Sequence, residues 1–270
     1  MDSEKLATFA VKSETDVMLQ VVSDILDADD GKSFEEKREE AIKFLSKKKD
    51  HNTAEILVDL AMDDDVGKKN GSMFWAEGQP IKVRDGIALR AVASSDREPF
   101  LEIQRIYSPM RSMLKEGSYC EMVWKEHVQP KALMCSIIQN STYIGYCGIK
   151  NTAHDPWEIA IELYPEATQH GIGPDALAAM LNTIRDRLGK SEFRVRVDPG
   201  NKSSQKMFER LGAVPNGISS LFLQEEELLQ KCEEDNLHLI DESVILLAKK
   251  FGVEPRKLLS HVLEYKLFWR

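Results

Sequence analysis

The spacing of apolar residues predicts helices in the first part of the chain. Over residues 15–28 these residues fall three and four positions apart, which is the period of an amphipathic helix. Ser33 followed by Glu36 forms a capping box that begins a second helix, and a third helix is expected after it. Two glycines and a run of charges at residues 63–72 predict a linker. Residues 1–75 are therefore predicted to be a helical segment, either a small pack or dimerisation element or a specific docking surface.

From residue 76 onwards, apolar runs that suit strands alternate with runs that suit helices. Two apolar runs are separated by Gln139-Asn140-Ser141, which is a hairpin signal. Pro109 disfavours helical geometry in the residue before it, so residues 98–115 are expected to form one helix or two. Strands are expected at residues 87–92, 132–138, 142–149, 157–164 and 193–197, and further helices at residues 174–188 and 202–211. This alternation predicts an α/β domain with a mixed sheet over residues 76–270.

Composition indicates the cellular compartment in which the protein is expected. The chain has 270 residues, 42% of them hydrophobic and 30% charged, and none of its apolar runs could cross about 30 Å of hydrocarbon. Its first ten residues lack the basic flank and apolar run of a secretory signal. Its four cysteines lack the paired spacing of a zinc ribbon or a disulfide framework. We therefore expect a cytoplasmic protein with reduced thiols, no metal and no membrane contact.

The charge is concentrated at one end of the chain. Residues 1–80 hold 19 Asp and Glu against 11 Lys and Arg, a net charge of −8, whereas the whole chain carries −9. The remaining residues are therefore near neutral and lack a basic excess for neutralising phosphates. This distribution argues against nucleic acid as the main partner.

A turn near residue 170 predicts an anion-binding site. A strand that ends at Tyr164 is followed by a short loop and by Gly171 and Gly173 at the mouth of a helix. Glycines let the backbone approach a ligand closely, and the unpaired N–H groups of a helix N-terminus point at phosphate oxygens. The P-loop lysine and the third glycine of a dinucleotide-binding motif are missing, which argues against a nucleoside triphosphate or a dinucleotide.

Two stretches in this order resemble one protein family. Residues 194–213, RVRVDPGNKSSQKMFERLGA, place Asn201 at the start of a helix, Ser204 three residues later and a Leu-Gly pair at the helix end. Residues 165–173, PEATQHGIG, are similar to a pyrophosphate loop. Over residues 85–220 the chain resembles the GNAT superfamily of acyl-CoA N-acyltransferases, and the phrase VDPGNKSS is most similar to its RimJ/RimL-like N-acetyltransferases.

The resemblance implies a fold, a donor and a reaction. It implies a mixed, mostly antiparallel sheet flanked by helices, and direct transfer of an acetyl group from acetyl-CoA to a primary amine. The amine would belong to a protein N-terminus or to a small molecule. In the family, splayed strands hold the pantetheine arm like an added strand, and the helix mouth holds the diphosphate. The residues that the resemblance assigns to acetyl-CoA here are Leu163, Tyr164, Gln169, His170, Gly171, Ile172, Gly173, Pro174, Asn201 and Phe208.

Two residues depart from the family pattern. Thr168 stands where the family usually has Arg or Gln, which removes one long polar side chain near the phosphates. Phe208 stands where many members have a Tyr that protonates the departing thiolate, and Phe cannot donate a proton. The RimJ/RimL-like members use a serine at the position of Ser204, which makes Ser204 the candidate acid or a polariser of the sulfur. The alternative is a helix-interior serine that bonds its own backbone.

Glu162 is the candidate base. It lies one residue before the predicted pantetheine-binding position, where it could accept the amine proton directly or through water. Glu158, on the same strand face, is the alternative base, and a solvated polar face without catalysis is the alternative for both. His154 and His170 are expected in loops, where a histidine is more often incidental, so neither is assigned a role.

The chain is predicted to become helical again before a final strand. Apolar and polar residues alternate at residues 263–269, so residues 224–257 are interpreted as a helical insertion between the last two strands. The resemblance places this insertion as a wall or lid of the acceptor site. A plain terminal helix that runs to Trp269 is the alternative. Residues 248–255 faintly resemble the turn of a helix-turn-helix, but neighbouring acidic residues would oppose a phosphate backbone.

The resemblance thus implies an acetyl-CoA-dependent N-acetyltransferase. One alternative is a module of the same fold that holds acyl-CoA as a sensor and transfers nothing, which Thr168 and Phe208 motivate. Another is a regulator whose helical ends bind a protein or DNA. The acceptor, the acyl chain length and the oligomeric state stay open, and the helical segments would allow a homodimer.

Overall fold

The computed structural model describes residues 14–220 and 225–270. Within these ranges the longer helices are α1 (Glu14–Asp27), α2 (Phe34–Leu45), α3 (His51–Phe74), α4 (Arg97–Tyr107), α5 (Gly117–Val128), α6 (Ile172–Leu188), α7 (Lys202–Arg210), α8 (Glu226–Asp235) and α9 (Glu242–Phe251). The strands are β1 (Ile81–Arg84), β2 (Ile87–Ala91), β3 (Leu133–Gln139), β4 (Thr142–Ile149), β5 (Trp157–Leu163), β6 (Glu192–Val197), β7 (Val214–Ser219) and β8 (Val262–Phe268).

The strands form one sheet in the order β1-β2-β3-β4-β5-β6-β8-β7. Neighbours run antiparallel except β5 and β6, which are parallel. The predicted fold class, an α/β fold with a mixed, mostly antiparallel sheet, is confirmed. The predicted hairpin is β3–β4, whose turn residues Asn140 and Ser141 both have positive φ, 47° and 71°. Such a turn matches the twist of the strands that it joins.

The two faces of the sheet are covered by different helices. Helix α6 packs on one face with an apolar stripe that alternates with its exposed polar residues. Helices α4 and α5 pack on the other face against β4 and β5. The side chains of α6 buried in the main core are Ile172, Ala176, Leu177, Met180, Leu181 and Ile184.

The N-terminal helices have a core of their own, but no linker separates it from the sheet. Helices α1, α2 and α3 enclose a separate apolar cluster, while α3 continues for 24 residues to Phe74, which is buried in the main core. The predicted linker at residues 63–72 is therefore wrong. The helix continues through Gly67, where a Cβ would lie 2.3 Å from Lys131 Cα. The glycine is needed for close packing between α3 and the loop before β3.

Strand β1 and helix α5 were not predicted from the sequence. Strand β1 has only four residues, two of them basic, and it lies at the edge of the sheet. Helix α5 buries only Cys120 and His127 along its length, so its apolar periodicity is weak. Both elements depend on tertiary contacts more than on a local pattern.

The C-terminal part places two helices between two strands. Helices α8 and α9 lie between β7 and β8 in the chain, and the chain ends in β8 without a terminal helix. Residue 224, the predicted start of this insertion, lies outside the described residues. No helix in the described ranges has both the length and the apolar content needed to cross a bilayer.

Candidate active site

Strands β5 and β6 separate within the sheet. Strand β5 pairs with β4 along its length, from Ile159 to Leu163, but it pairs with β6 only at Trp157 and Glu158. Beyond Glu158 the two parallel strands diverge, and an opening forms between them.

Part of the backbone of β5 faces this opening. The N–H of Tyr164 donates to Ile144 O at 2.9 Å, and Glu158 O accepts from Lys150 N at 3.0 Å. The main-chain polar groups of both residues therefore point to the β4 side. Because alternate residues of a strand bond to opposite neighbours, Ile161 and Leu163 direct their N–H and C=O groups into the opening. An extended ligand could pair there like an added strand.

Tyr164 does not offer free backbone groups. Its N–H is bonded to β4, and its C=O accepts from Ala167 N at 2.9 Å. Its phenol donates to Glu102 Oε2 at 2.7 Å, within a contact that ties β5 to α4. The expectation that the Tyr164 backbone binds the donor is corrected, because these groups are already occupied.

The N-terminus of α6 lies at the end of the same strand. Gly171 caps the helix with φ 74°, a left-handed conformation that favours glycine. Within the part of the chain that the structure describes, the N–H groups of residues 169–173 donate to no protein acceptor. Gln169 and His170 are exposed, whereas Ile172 is buried and presents only its backbone, and Pro174 has no N–H to offer. The arrangement is that of an anion site.

Close packing brings this helix mouth to the strand opening. A Cβ on Gly173 would lie 3.2 Å from Met207 Sδ in α7 and 3.6 Å from Ile161 Cδ1 in β5. The absence of a side chain at Gly173 therefore lets α6, α7 and β5 meet. The predicted anion site therefore lies next to the predicted pantetheine-binding part of β5.

An arginine that the sequence did not indicate also lies at the helix mouth. Arg84, from β1, donates to His170 O at 2.9 Å and forms an ion pair with Asp175 Oδ2 at 2.9 Å. Thr168 has no long side chain and donates to Pro165 O at 2.6 Å. A cation is thus present beside the loop, but it comes from a strand more than eighty residues away, and no local motif marks it.

Glu162 lies on the sheet face covered by α4. Its Oε2 accepts from Gln104 Nε2 at 2.7 Å, and Gln104 also donates to Tyr146 Oη at 3.2 Å. Burial raises the pKa of Glu162 above its ordinary value, although hydrogen bonds from Tyr146 and Gln104 act in the opposite direction. A carboxylate with a raised pKa is a better proton acceptor near neutral pH.

Glu158 has a different environment on the same face. Its carboxylate forms ion pairs with Lys150 at 2.6 Å, Arg196 at 2.8 Å and Arg194 at 3.2 Å. Burial alone would raise the pKa of Glu158, but Lys150 and Arg196 lower it below its ordinary value. Of the two candidate bases, Glu158 is therefore the weaker proton acceptor.

The predicted residues of α7 lie beside the opening in different settings. Asn201 caps the helix, and its Oδ1 accepts from Ser204 N at 3.0 Å. The hydroxyl of Ser204 is half-buried and, among the described residues, makes no hydrogen bond to protein, so it does not bond its own helix. The ring of Phe208 is buried in the main core.

The two loop histidines stay without an assigned role. His154 pairs with Asp63 of α3 at 3.0 Å, and His170 is exposed with its carbonyl bonded to Arg84. A third histidine, His127, is buried against Phe100, and burial lowers its pKa to about 4. It is therefore neutral at physiological pH.

Comparison with known families agrees with this geometry. The model of the Acetyltransferase (GNAT) domain matches residues 87–214. These residues are a GNAT acetyltransferase domain. The matched region includes the diverging strands, the mouth of α6 and helix α7, so the predicted superfamily and enzyme class, an N-acetyltransferase that uses acetyl-CoA, are confirmed. No curated protein matches the chain.

Solved structures of acetyltransferases are similar to this chain at low sequence identity. The ribosomal L7/L12 α-N-protein acetyltransferase RimL, in complex with coenzyme A, is 14% identical with a TM-score of 0.50, covering 71% of this chain and 98% of its own. RimJ of Mycobacterium smegmatis, in complex with CoA-disulfide, is 16% identical with a TM-score of 0.45, covering 67% and 81%. The microcin C7 self-immunity acetyltransferase MccE, in complex with acetyl-CoA and AMP, is 16% identical with a TM-score of 0.48, covering 70% and 96%.

Proposed function

We propose that the chain transfers an acetyl group from acetyl-CoA to a primary amine on a small molecule or a protein N-terminus. One observation carries this proposal. The half-buried carboxylate of Glu162 and the free amides of residues 169–173 flank the same opening between β5 and β6. A donor held by the amides would present its thioester next to a proton acceptor.

Backbone groups would hold the donor. The N–H groups at the mouth of α6 would bind the diphosphate, with Arg84 beside them as the nearby cation. The backbone of Ile161 and Leu163 would bind the pantetheine arm as an added strand. These contacts require main-chain amides in a fixed arrangement, so they tolerate Thr168 in place of a longer side chain.

Glu162 would accept the proton that the amine loses as it attacks the thioester carbon. The new C–N bond forms while the C–S bond breaks, and the half-buried hydroxyl of Ser204 would give a proton to the departing sulfur. Gln104 would hold the Glu162 carboxylate in place through its 2.7 Å hydrogen bond. The transfer is direct and needs no covalent enzyme intermediate.

The test separates donor binding from turnover. Titration calorimetry measures acetyl-CoA binding, and release of free thiol measures transfer to amines grouped as peptides, amino acids and polyamines. We expect Glu162→Gln to bind acetyl-CoA like the unchanged protein but to transfer the acetyl group about 10²–10⁴-fold more slowly. Glu166→Gln is the matched control, because Glu166 is an exposed carboxylate at the start of the following loop.

Two results would overturn the proposal. Failure to bind acetyl-CoA at high micromolar concentration would remove the donor, and with it the role of the helix mouth. Binding without thiol release for every amine class would leave a module that holds acyl-CoA and transfers nothing.

A further inference from the structure

We infer that the acceptor amine carries a carboxylate and that a basic cluster formed by Lys150, Arg194 and Arg196 binds it. This inference rests on the proposed function, because it names the class of acceptor for the same site. The cluster lies on the sheet face that carries Glu162, at the point where β5 and β6 begin to diverge.

The basic cluster holds more positive charge than its partner neutralises. Three cations surround the single carboxylate of Glu158, at distances between 2.6 and 3.2 Å. The Glu158 side chain is 6% exposed, whereas those of Lys150, Arg194 and Arg196 are 50%, 32% and 21% exposed. The buried acid is thus covered, and the cations form the surface that an acceptor would meet.

The guanidinium groups retain donors for a further acceptor. The Nε–H groups of Arg194 and Arg196 are buried, and the Nε of Arg196 lies 2.8 Å from Glu158 Oε2. Arg194 Nη2 donates to Glu158 Oε2 at 3.2 Å, and the other Nη groups of the two arginines make no hydrogen bond within the described part of the chain. Both side chains are partly exposed, so a bound carboxylate could accept from these Nη groups.

Neighbouring charges on the same face cancel only part of the excess. On β8, Lys266 lies opposite Arg194 in register and pairs with Glu192 at 2.6 Å. Glu264 lies opposite Arg196, and its Oε1 accepts from Asn216 Nδ2 at 2.9 Å. The pair of Lys266 and Glu192 is neutral. The carboxylate of Glu264 bonds a neutral amide and keeps its charge, so it offsets one of the two excess positive charges and leaves the other.

The spacing along β5 sets the length of the acceptor. Glu158 and Glu162 are four residues apart on one strand face, which corresponds to about 13 Å at the rise of an extended chain. An amine placed at Glu162 would therefore reach the basic cluster with a carboxylate within about four residues of it. A peptide with an acidic residue near its N-terminus fits this distance, and so does a short peptide with a free C-terminus. A polyamine carries only positive charge and would be repelled.

Matched peptides test the inference. The substrates are four peptides. Three are C-terminally amidated and hold Glu, Gln or Lys at positions two to four. The fourth holds Gln at these positions and has a free C-terminus after position four. We expect kcat/KM for the Glu peptide to exceed that for the Gln peptide by about 10-fold or more, and the Lys peptide to be the poorest. The two Gln peptides differ only in their C-terminus, so comparing them shows whether the cluster also binds a main-chain carboxylate.

Two variants test whether the basic cluster causes the preference for the Glu peptide. Lys150→Met leaves two arginines on Glu158 and should reduce the ratio between the Glu and Gln peptides, while Lys266→Met should leave that ratio unchanged. Higher salt should also reduce the ratio, since the cations are partly exposed. Equal kcat/KM for the Glu, Gln and Lys peptides would overturn the inference and leave the acetyltransferase intact. Absence of turnover for every amine class would instead count against the proposed function.

Discussion

Alanine substitutions at the two glycines of α3 should change stability in opposite directions. Gly67 and Gly71 lie one turn apart in the same helix, and neither has a positive φ. Alanine favours a helix interior over glycine by about 0.5–1 kcal/mol, so both positions gain this amount if nothing else changes. The two positions differ in the atoms that surround the missing Cβ.

The size of each effect follows from the space around the missing Cβ. At Gly71 no atom lies within 4 Å of that position, so Gly71→Ala should stabilise the protein by about 0.5–1 kcal/mol. At Gly67 the Cβ would lie 2.3 Å from Lys131 Cα and 2.4 Å from Pro130 O, and both are backbone atoms that cannot turn away. Overpacking of this kind costs about 1–3 kcal/mol and outweighs the gain in helix propensity.

Thermal unfolding followed by circular dichroism measures the pair. For a chain of this size, 1 kcal/mol corresponds to about 2–4 °C in Tm, so Gly71→Ala should raise Tm and Gly67→Ala should lower it. If Gly67→Ala raises Tm as much as Gly71→Ala, then α3 does not pack against the loop before β3. The interpretation that Gly67 serves close packing would then be refuted.

Three further substitutions test the site and its support. Gln104→Leu removes a hydrogen bond that favours the ionised form of Glu162, so the pKa of Glu162 should rise. The acidic limb of the plot of kcat/KM against pH should then move to higher pH. A limb that does not move would exclude Glu162 as the titrating base. Ser204→Ala should lower kcat by about 10²-fold while calorimetric binding of acetyl-CoA stays the same, and an unchanged kcat would leave Ser204 without a role as acid. Arg90→Leu leaves the carboxylate of Asp96, which is 3% exposed, without its bonds at 2.6 and 2.7 Å, and should cost about 3–5 kcal/mol in urea unfolding. Burial alone would raise the pKa of Asp96, but Arg90 and the other hydrogen-bond donors to Asp96 lower it below 3.8. In the unchanged protein, the stabilisation from the charged Asp96 is therefore present above the unfolded pKa of 3.8 and is lost as the pH falls through the lower folded pKa. A loss below 1 kcal/mol for Arg90→Leu would show that Asp96 relaxes toward solvent.

Strands and helices with a clear period could be predicted from the sequence alone. The alternation in β5 and β8, the apolar stripe of α6 and the turn between β3 and β4 are local signals, and the structure has these elements within one or two residues of the prediction. Local signals suffice there because each residue's face is set by its spacing.

The errors occur where a contact in space overrides a local signal. Glycines and charges at residues 63–72 are typical of a linker, yet α3 continues through them, and Gly67 packs against the backbone of Pro130 and Lys131. Strand β1 is too short and too basic to show a pattern, and it is held by pairing with β2. A single sequence does not contain these distances.

The same distinction applies to the candidate site. The helix mouth at Gly171 and Gly173 was visible because both glycines lie within one short motif. Arg84 and Gln104 were missed because they reach the site from β1 and α4, and nothing in their own neighbourhood indicates an anion or a carboxylate. The backbone role of Tyr164 was assigned wrongly, because strand pairing decides which neighbouring residue faces the opening.

The divergence of β5 and β6 explains why two glutamates on one strand face differ. At Glu158 the strands still pair, so β6 brings Arg194 into register beside it and Arg196 into ion-pair distance. At Glu162, four residues later, β6 no longer pairs with β5, and the carboxylate contacts the neutral side chains of Gln104 and Tyr146. Cations favour the ionised form of one carboxylate, while burial disfavours the ionised form of the other. One structural feature thus separates a carboxylate that stays charged from one suited to accept a proton, and it also provides the opening in which a donor could lie beside the latter.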